Sequence, residues 1–214
     1  MPSLSAEVTY FRLDIKPYTK CMVQTIKLIM FDCFGVLATD SWEAFIDSLP
    51  AEADVAQARE ARRAYDAGLI DKYKYGQLIK LATGRQFIGV ESGLAKVAKN
   101  YKLLDYIRDL RQRHYRTSIL SNAGSNWIRE EFLDSSEQAL FDDFVLSYKV
   151  GMVKPEERLF TLAAERLQVE PAEVILVDDK ERYCQAAKDV GMQAVVYRDF
   201  EQFKRELEEL LAGK

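Results

Sequence analysis

Cysteine is scarce in this sequence of 214 residues: Cys21, Cys33 and Cys184 are an odd number at wide spacing. That argues against a disulfide framework or a cysteine-built zinc site, and reduced thiols are the expectation. Histidine is scarcer still. The single copy, His114, sits in the basic run Arg111-Gln112-Arg113-His114-Tyr115-Arg116, which reads as a solvated helix end. There is no excess of positive charge either, since 30 Lys and Arg face 34 Asp and Glu for a net charge of −4. The electrostatic footprint of a nucleic-acid or anionic-membrane partner is therefore missing, and any phosphate-binding site has to be built locally. Long apolar runs are absent. The stretch over residues 26–31 is far too short to span a bilayer, and the first residues lack the basic-then-apolar layout of a secretory signal, so no membrane association and a cytoplasmic location are expected. No internal repeat or low-complexity tract is present.

What remains is the composition of an ordinary globular chain, 48% hydrophobic and 30% charged, enough for a sizeable core in one domain with an insertion or in two small domains. From residue 26 onward, short β-branched runs alternate with amphipathic stretches, a rhythm that predicts α/β architecture with a parallel sheet. The expected strands cover residues 26–31, 117–120, 143–146, 174–177 and 194–197. Helical spacing predicts helices over 103–113, 156–167 and 182–189, the last closed by Gly191, and a final helix over 200–211. Residues 41–100 break the rhythm. They are rich in Ala, Glu, Arg and Lys at helical spacing, with the clearest helices over 54–67 and 73–82, and read as a small helical insertion. Residues 1–22 show no clear period and are assigned no function.

Polar residues suited to chemistry follow four of the five expected strands: Asp32 after the first, Ser121-Asn122 after the second, Ser147 and the nearby Lys154-Pro155 after the third, and Asp178-Asp179 after the fourth. In an open parallel sheet the carboxyl ends of the strands form the ligand crevice, so these residues are expected to converge in an acidic, metal-suited pocket with one lysine. Singly, each has an ordinary explanation as a turn, a helix cap or a solvated side chain. Adjacent carboxylates at 178 and 179 repel unless a cation offsets them.

Those residues also carry a resemblance. The run Ile29-Met30-Phe31-Asp32-Cys33-Phe34-Gly35-Val36-Leu37 resembles the first motif of the haloacid-dehalogenase superfamily, and Ile119-Leu120-Ser121-Asn122 is similar to the second. The third is matched by Ser147-Tyr148-Lys149-Val150-Gly151-Met152-Val153-Lys154-Pro155, and the fourth by Val174-Ile175-Leu176-Val177-Asp178-Asp179 with Ala186-Ala187 and Gly191. All four stand in the right order over residues 26–197. The resemblance implies a Rossmann-like α/β core over 23–40 and 101–214, with a helical cap over 41–100. It further implies a Mg²⁺-dependent hydrolase cleaving a small phosphorylated metabolite through an aspartyl-phosphate. Asp32 is then the nucleophile. Mg²⁺, a hard cation, is held by Asp32, the backbone carbonyl of Phe34 and the Asp178-Asp179 pair, with Asp179 the first choice for direct contact. Lys154 places charge against the phosphoryl oxygens and keeps Asp32 ionised, while Ser121 and the Asn122 N–H donate to the transferring group.

One residue departs from the family pattern. Two positions after the nucleophile, where most phosphatases of this superfamily place a second Asp as general acid, stands Phe34. A phenyl ring transfers no proton, so assistance from Asp40, Asp66 or water, or a good leaving group, is required. The alternatives are a metal-free 2-haloacid dehalogenase-like hydrolase and a non-catalytic module on the same fold. Trp42 and Tyr65 are expected to pack the insertion or to line it.

Overall fold

A computed structural model describes residues 25–50, 53–87, 89 and 97–213 of the chain; the N-terminal stretch 1–22 lies outside the described residues. Five parallel strands form one sheet: β1 (Leu28–Phe31), β2 (Arg116–Ser121), β3 (Asp143–Leu146), β4 (Val174–Asp178) and β5 (Gln193–Val196), in spatial order β3-β2-β1-β4-β5. All five expected strands are present, with ends shifted by no more than two residues. The first begins at Leu28 rather than Ile26, and the second and fourth run one residue further, so that Ser121 and Asp178 are themselves the last residues of β2 and β4.

β1 is central. Each of its four residues is buried, which is why it reads as an unbroken apolar run rather than an alternating one. Successive side chains leave opposite faces. Ile29 and Phe31, with Ile175 and Val177 of β4, face a core shared with Leu103, Ile107 and Leu110 of α4 (Tyr101–Gln112) and with Phe203 and Leu207 of α9 (Phe200–Leu211). Leu28 and Met30, with Val174 and Leu176, face a second core built by Leu159, Phe160, Ala163 and Ala164 of α7 (Glu157–Arg166) and by Ala186 and Ala187 of α8 (Glu181–Asp189). Helices thus cover both faces of the sheet. Two short helices, α5 (Ser135–Gln138) and α6 (Ser147–Val150), and a π-helical turn over Ile128–Phe132 complete this layer.

Between β1 and α4 the chain contributes α1 (Trp42–Asp47), α2 (Val55–Asp66) and α3 (Lys72–Thr83), and no strand among the described residues. These helices bury a separate core of Trp42, Ile46, Ala58, Ala61, Tyr65, Tyr75, Ile79 and Ala82. Asp54 and Asp71 cap α2 and α3 by accepting from the Gln57 and Lys74 amides at 2.8 Å each. The segments that lead out and back run side by side: the Thr39 amide donates to Ala98 O (3.1 Å) and the Asn100 amide to Leu37 O (2.8 Å). The helical insertion therefore leaves and rejoins the core at one place, beside the carboxyl end of β1.

Candidate active site

Order 3-2-1-4-5 makes β1 the strand from which the chain proceeds to opposite sides, so the crevice opens at its carboxyl end. Asp32 is the next residue, held by its amide to Val177 O at 2.9 Å. Its Oδ1 accepts from the Ser121 hydroxyl at 2.8 Å and from the Cys33 amide at 2.6 Å, and its Oδ2 lies 3.0 Å from Lys154 Nζ. Lys154 is fully buried and also reaches Asp178 Oδ2 at 2.5 Å and the Leu120 carbonyl at 3.2 Å. Asn122 locks the lysine from behind, its carboxamide accepting from the Lys154 amide (2.8 Å) and donating to the Lys154 carbonyl (3.1 Å). Residues 89 positions apart in sequence, Asp32 and Ser121, thus meet because neighbouring strands end at the same level.

Carboxylate oxygens of Asp32, Asp178 and Asp179 all lie within 4.8 Å of one another. The oxygens of Asp178 are engaged, Oδ2 by Lys154 and Oδ1 by the Lys180 amide at 2.9 Å. Asp179 differs. Its Oδ2 pairs with Lys180 Nζ at 2.9 Å, but its buried Oδ1 has no hydrogen-bond partner among the described residues. An orphaned buried carboxylate oxygen beside two further carboxylates is what a hard divalent cation satisfies, so the donor set fits Mg²⁺. In the loop after Asp32, the amides of Val36, Leu37 and Ala38 close on the Cys33 carbonyl, and that turn leaves the Phe34 carbonyl out of its own bonding.

Burial pushes the Asp32 carboxyl up to about 7; Lys154 opposes the rise and the Asp178 charge adds to it. Lys154 thus favours the ionised form of Asp32, as expected from the sequence, while burial and the Asp178 charge work against it. Burial works against the Lys154 charge as well, but Asp178 and Asp32 outweigh it and raise its pKa. Asp179 is also raised by burial, against the pull of Lys180.

The cluster lies at the floor of a cleft of about 310 Å³, at the small end of the usual range for ligand pockets. Asp32, Phe34, Asp40, Asn122, Lys154 and Asp179 line it from the core, Trp42 and Asp66 from the insertion. Ser121 is fully buried and serves Asp32 rather than the cleft wall. Ser147 stands apart from the cluster. Its hydroxyl donates to the Asp66 carbonyl (2.5 Å) and accepts from the Ala123 amide (2.9 Å), tying the end of α2 to the loop after β2. Tyr65 packs there too, stacked on Tyr75 at 4.7 Å and set so close to Gly124 that a Cβ on that glycine would meet its ring at 2.2 Å. Phe34 presents an aromatic wall, its ring stacked on Trp127 with centroids 5.9 Å apart.

The expectation of one lysine in an acidic pocket is corrected by the insertion and by α8. Arg59, Arg62 and Arg63 of α2, with Lys180 and Arg182, also line the cleft. Their signal was present as Arg59, Arg62, Arg63 and Asp66 at offsets of three, four and seven, one face of a helix. That spacing reads equally as a solvated charged face until the partner surface is known.

A family model described as haloacid dehalogenase-like hydrolase matches residues 26–191. The D-ribitol-5-phosphate phosphatase of Bacteroides thetaiotaomicron is 25% identical over 208 residues, 87% of this chain and 98% of that protein. The bifunctional epoxide hydrolase 2 of Sus scrofa is 30% identical over 127 residues, 56% of this chain. The matches to that protein in pig, rat and mouse span only 22% to 29% of its length. Among solved structures, a HAD-like family hydrolase from Porphyromonas gingivalis superposes with a TM-score of 0.67 at 20% identity, covering 87% of this chain and 98% of that one. A HAD family enzyme from Bacteroides thetaiotaomicron, solved with magnesium and inorganic phosphate, gives 0.58 at 20% identity over 81% and 94%. No described helix is long and apolar enough to cross a membrane. With four strand-end motifs gathered around Asp32 and a family model that covers them all, the chain belongs to the haloacid dehalogenase-like hydrolase family.

Proposed function

We propose that this hydrolase cleaves a small phosphate monoester by a Mg²⁺-dependent route through an aspartyl-phosphate on Asp32, under a cap formed by the helices of residues 41–100. The observation that carries the reading is the orphaned Oδ1 of Asp179 beside Asp32 and Asp178, at the floor of a cleft that also holds Lys154. Two donors on Asp32 Oδ1 fix the plane of the carboxylate, so attack proceeds from a set position. The Asp32 oxygen bonds to phosphorus as the ester oxygen departs, and water then attacks phosphorus, releasing inorganic phosphate and restoring Asp32. Lys154 offsets the negative charge that accumulates when one anion attacks another. Mg²⁺, held by Asp32, Asp179, the Phe34 carbonyl and Asp178, supplies charge neutralisation and Lewis acidity toward the phosphoryl oxygens. The relative that acts on D-ribitol 5-phosphate and the neighbour solved with magnesium and phosphate support this reading. A panel of sugar phosphates, acyl phosphates and aryl phosphates, assayed with Mg²⁺ and after EDTA treatment, tests it: phosphate release that requires the metal is the expected result. Turnover of 2-haloacids that survives EDTA would instead establish the dehalogenase reading, which the aromatic residue at position 34 favours.

The leaving group receives no proton from position 34. Asp66 is buried and paired with Arg62 at 2.9 Å, Glu43 is paired with Arg59 at 2.7 Å and Asp40 accepts from the Trp42 amide, so each of these three cleft carboxylates has a structural duty. Rates are therefore expected to depend steeply on leaving-group pKa. Phe34→Asp is expected to raise kcat for alkyl phosphates by about 10²-fold or more while changing aryl phosphates far less. An unchanged alkyl-to-aryl ratio would contradict this.

Gly35 gives an independent handle on the metal. It adopts φ +88°, and a Cβ there would lie 2.5 Å from the Asp179 carboxylate. Gly35→Ala is expected to weaken Mg²⁺ binding roughly 10–100-fold in a calorimetric titration, by displacing a carboxylate it does not itself replace.

A further inference from the structure

One basic side chain of the cleft, Arg182, has no carboxylate partner among the described residues. Lys154 is committed to Asp32 and Asp178. Of the five other basic side chains that line the cleft, four have a carboxylate partner: Arg62 in Asp66 at 2.9 Å, Arg63 in Glu156 at 2.7 Å, Lys180 in Asp179 at 2.9 Å, and Arg59 in Glu43. Arg59 holds both Glu43 oxygens, at 3.1 and 2.7 Å. Arg182 is different. One of its terminal nitrogens meets the Tyr183 hydroxyl at 3.2 Å, and its guanidinium lies 4.9 Å from the Tyr183 ring centroid. The same ring lies 5.1 Å from Lys154 Nζ. Two cations thus lie against one aromatic ring, Lys154 at the reaction centre and Arg182 at the exposed rim, and both line the same small cleft. Arg59 belongs to the same rim. Its partner Glu43 is held below the usual carboxylate range, first by Arg59, with Lys180 and Arg182 adding smaller contributions.

Resting on the phosphatase reading above, we propose that Arg182 and Arg59 form a subsite for a second anionic group, a carboxylate or another phosphate, on the leaving-group side of the substrate. Glu43 is then the resident counter-ion that this group displaces from Arg59. Planar guanidinium groups match both anions in bidentate fashion, and the small cleft admits a compact substrate. The substrate class is a short phosphorylated acid or a bisphosphate, as opposed to a neutral polyol phosphate.

Glycerol 3-phosphate and 3-phosphoglycerate differ chiefly in that second charge. The wild-type enzyme is expected to favour the acid by about 10-fold or more in kcat/KM, with the difference residing in KM. Arg182→Gln is expected to bring the ratio toward one. Glu43→Gln is expected to raise it, because Arg59 loses its competitor, and a merely structural role for these exposed side chains would not move the two variants in opposite directions. Calorimetric binding of both compounds to the Asp32→Asn protein measures the same preference without turnover. Equal binding of the two compounds, or a preference unchanged in Arg182→Gln, would overturn the subsite. A preserved binding preference in a protein that hydrolyses no phosphate ester would instead overturn the phosphatase reading and leave the subsite standing.

Discussion

Asp32→Asn is expected to lower kcat for phosphate esters by about 10⁴-fold or more while leaving the fold as stable as before, or more so. The catalytic half follows from the loss of the proposed nucleophile; an amide in the same place is neither anionic nor a competent nucleophile at neutral pH. The stability half follows from burial. The Asp32 carboxyl titrates near 3.8 in the unfolded chain and near 7 in the fold, principally because burial disfavours its charge. Between those values the folded state binds more protons than the unfolded one, so stability falls as pH rises through this window and the full cost is present above about 7. A shift of this size corresponds to about 4 kcal/mol for a fully buried group. Thermal melts without metal are expected to show wild-type stability declining from pH 5 to pH 8, and Asp32→Asn declining less. A variant that melts well below the wild type at pH 8 would contradict the charge assignment.

The second large effect is expected at Lys154. Lys154→Met keeps most of the volume of the side chain but leaves the Asp32 and Asp178 carboxylates facing each other with no cation between them. Removing one member of a buried ion pair costs roughly 3–5 kcal/mol, because the partner is left charged and desolvated. In a chain of this length that is a fall of about 10 °C in Tm at pH 8. The two carboxylates escape by taking up a proton, so the deficit relative to wild type is expected to shrink at pH 5. Phosphatase activity is expected to be lost at both pH values, because at pH 8 nothing offsets the negative charge of anion attacking anion and at pH 5 protonated Asp32 is no nucleophile. A deficit equal at pH 5 and pH 8 would show that lost packing, and not uncompensated charge, is responsible.

Much of this architecture was legible in the chain. Central parallel strands are buried on both faces, so β1 and β4 appear as plain apolar runs, and a change of period marks the stretch that holds α1, α2 and α3. The strand-end rule then located Asp32, Ser121, Lys154 and Asp178 without any knowledge of sheet order. Less accessible was what each side chain does once it arrives. Ser121 turned out to orient Asp32, and Asn122 to clamp the Lys154 backbone, because partners that lie 89 and 32 residues away are fixed by register and not by local pattern. Ser147 follows a strand like the others, yet β3 lies at the sheet edge, and its hydroxyl is used to dock α2. The arginines of α2 were hidden for a different reason. A charged helical face looks the same whether it meets water or a cleft, and only the insertion's placement over β1 decides. Trp42 and Tyr65 resolve in the same way: both are buried in the insertion's own core, and Trp42 also lines the cleft.

The most direct test of the central claim is to trap the phosphoryl analogue beryllium fluoride on the protein in the presence of Mg²⁺ and observe it by ¹⁹F NMR. Resonances of a bound adduct that require Mg²⁺, and that vanish in Asp32→Asn but persist in Phe34→Asp, are the predicted result. An adduct that forms equally well without Asp32 would mean that the nucleophile lies elsewhere.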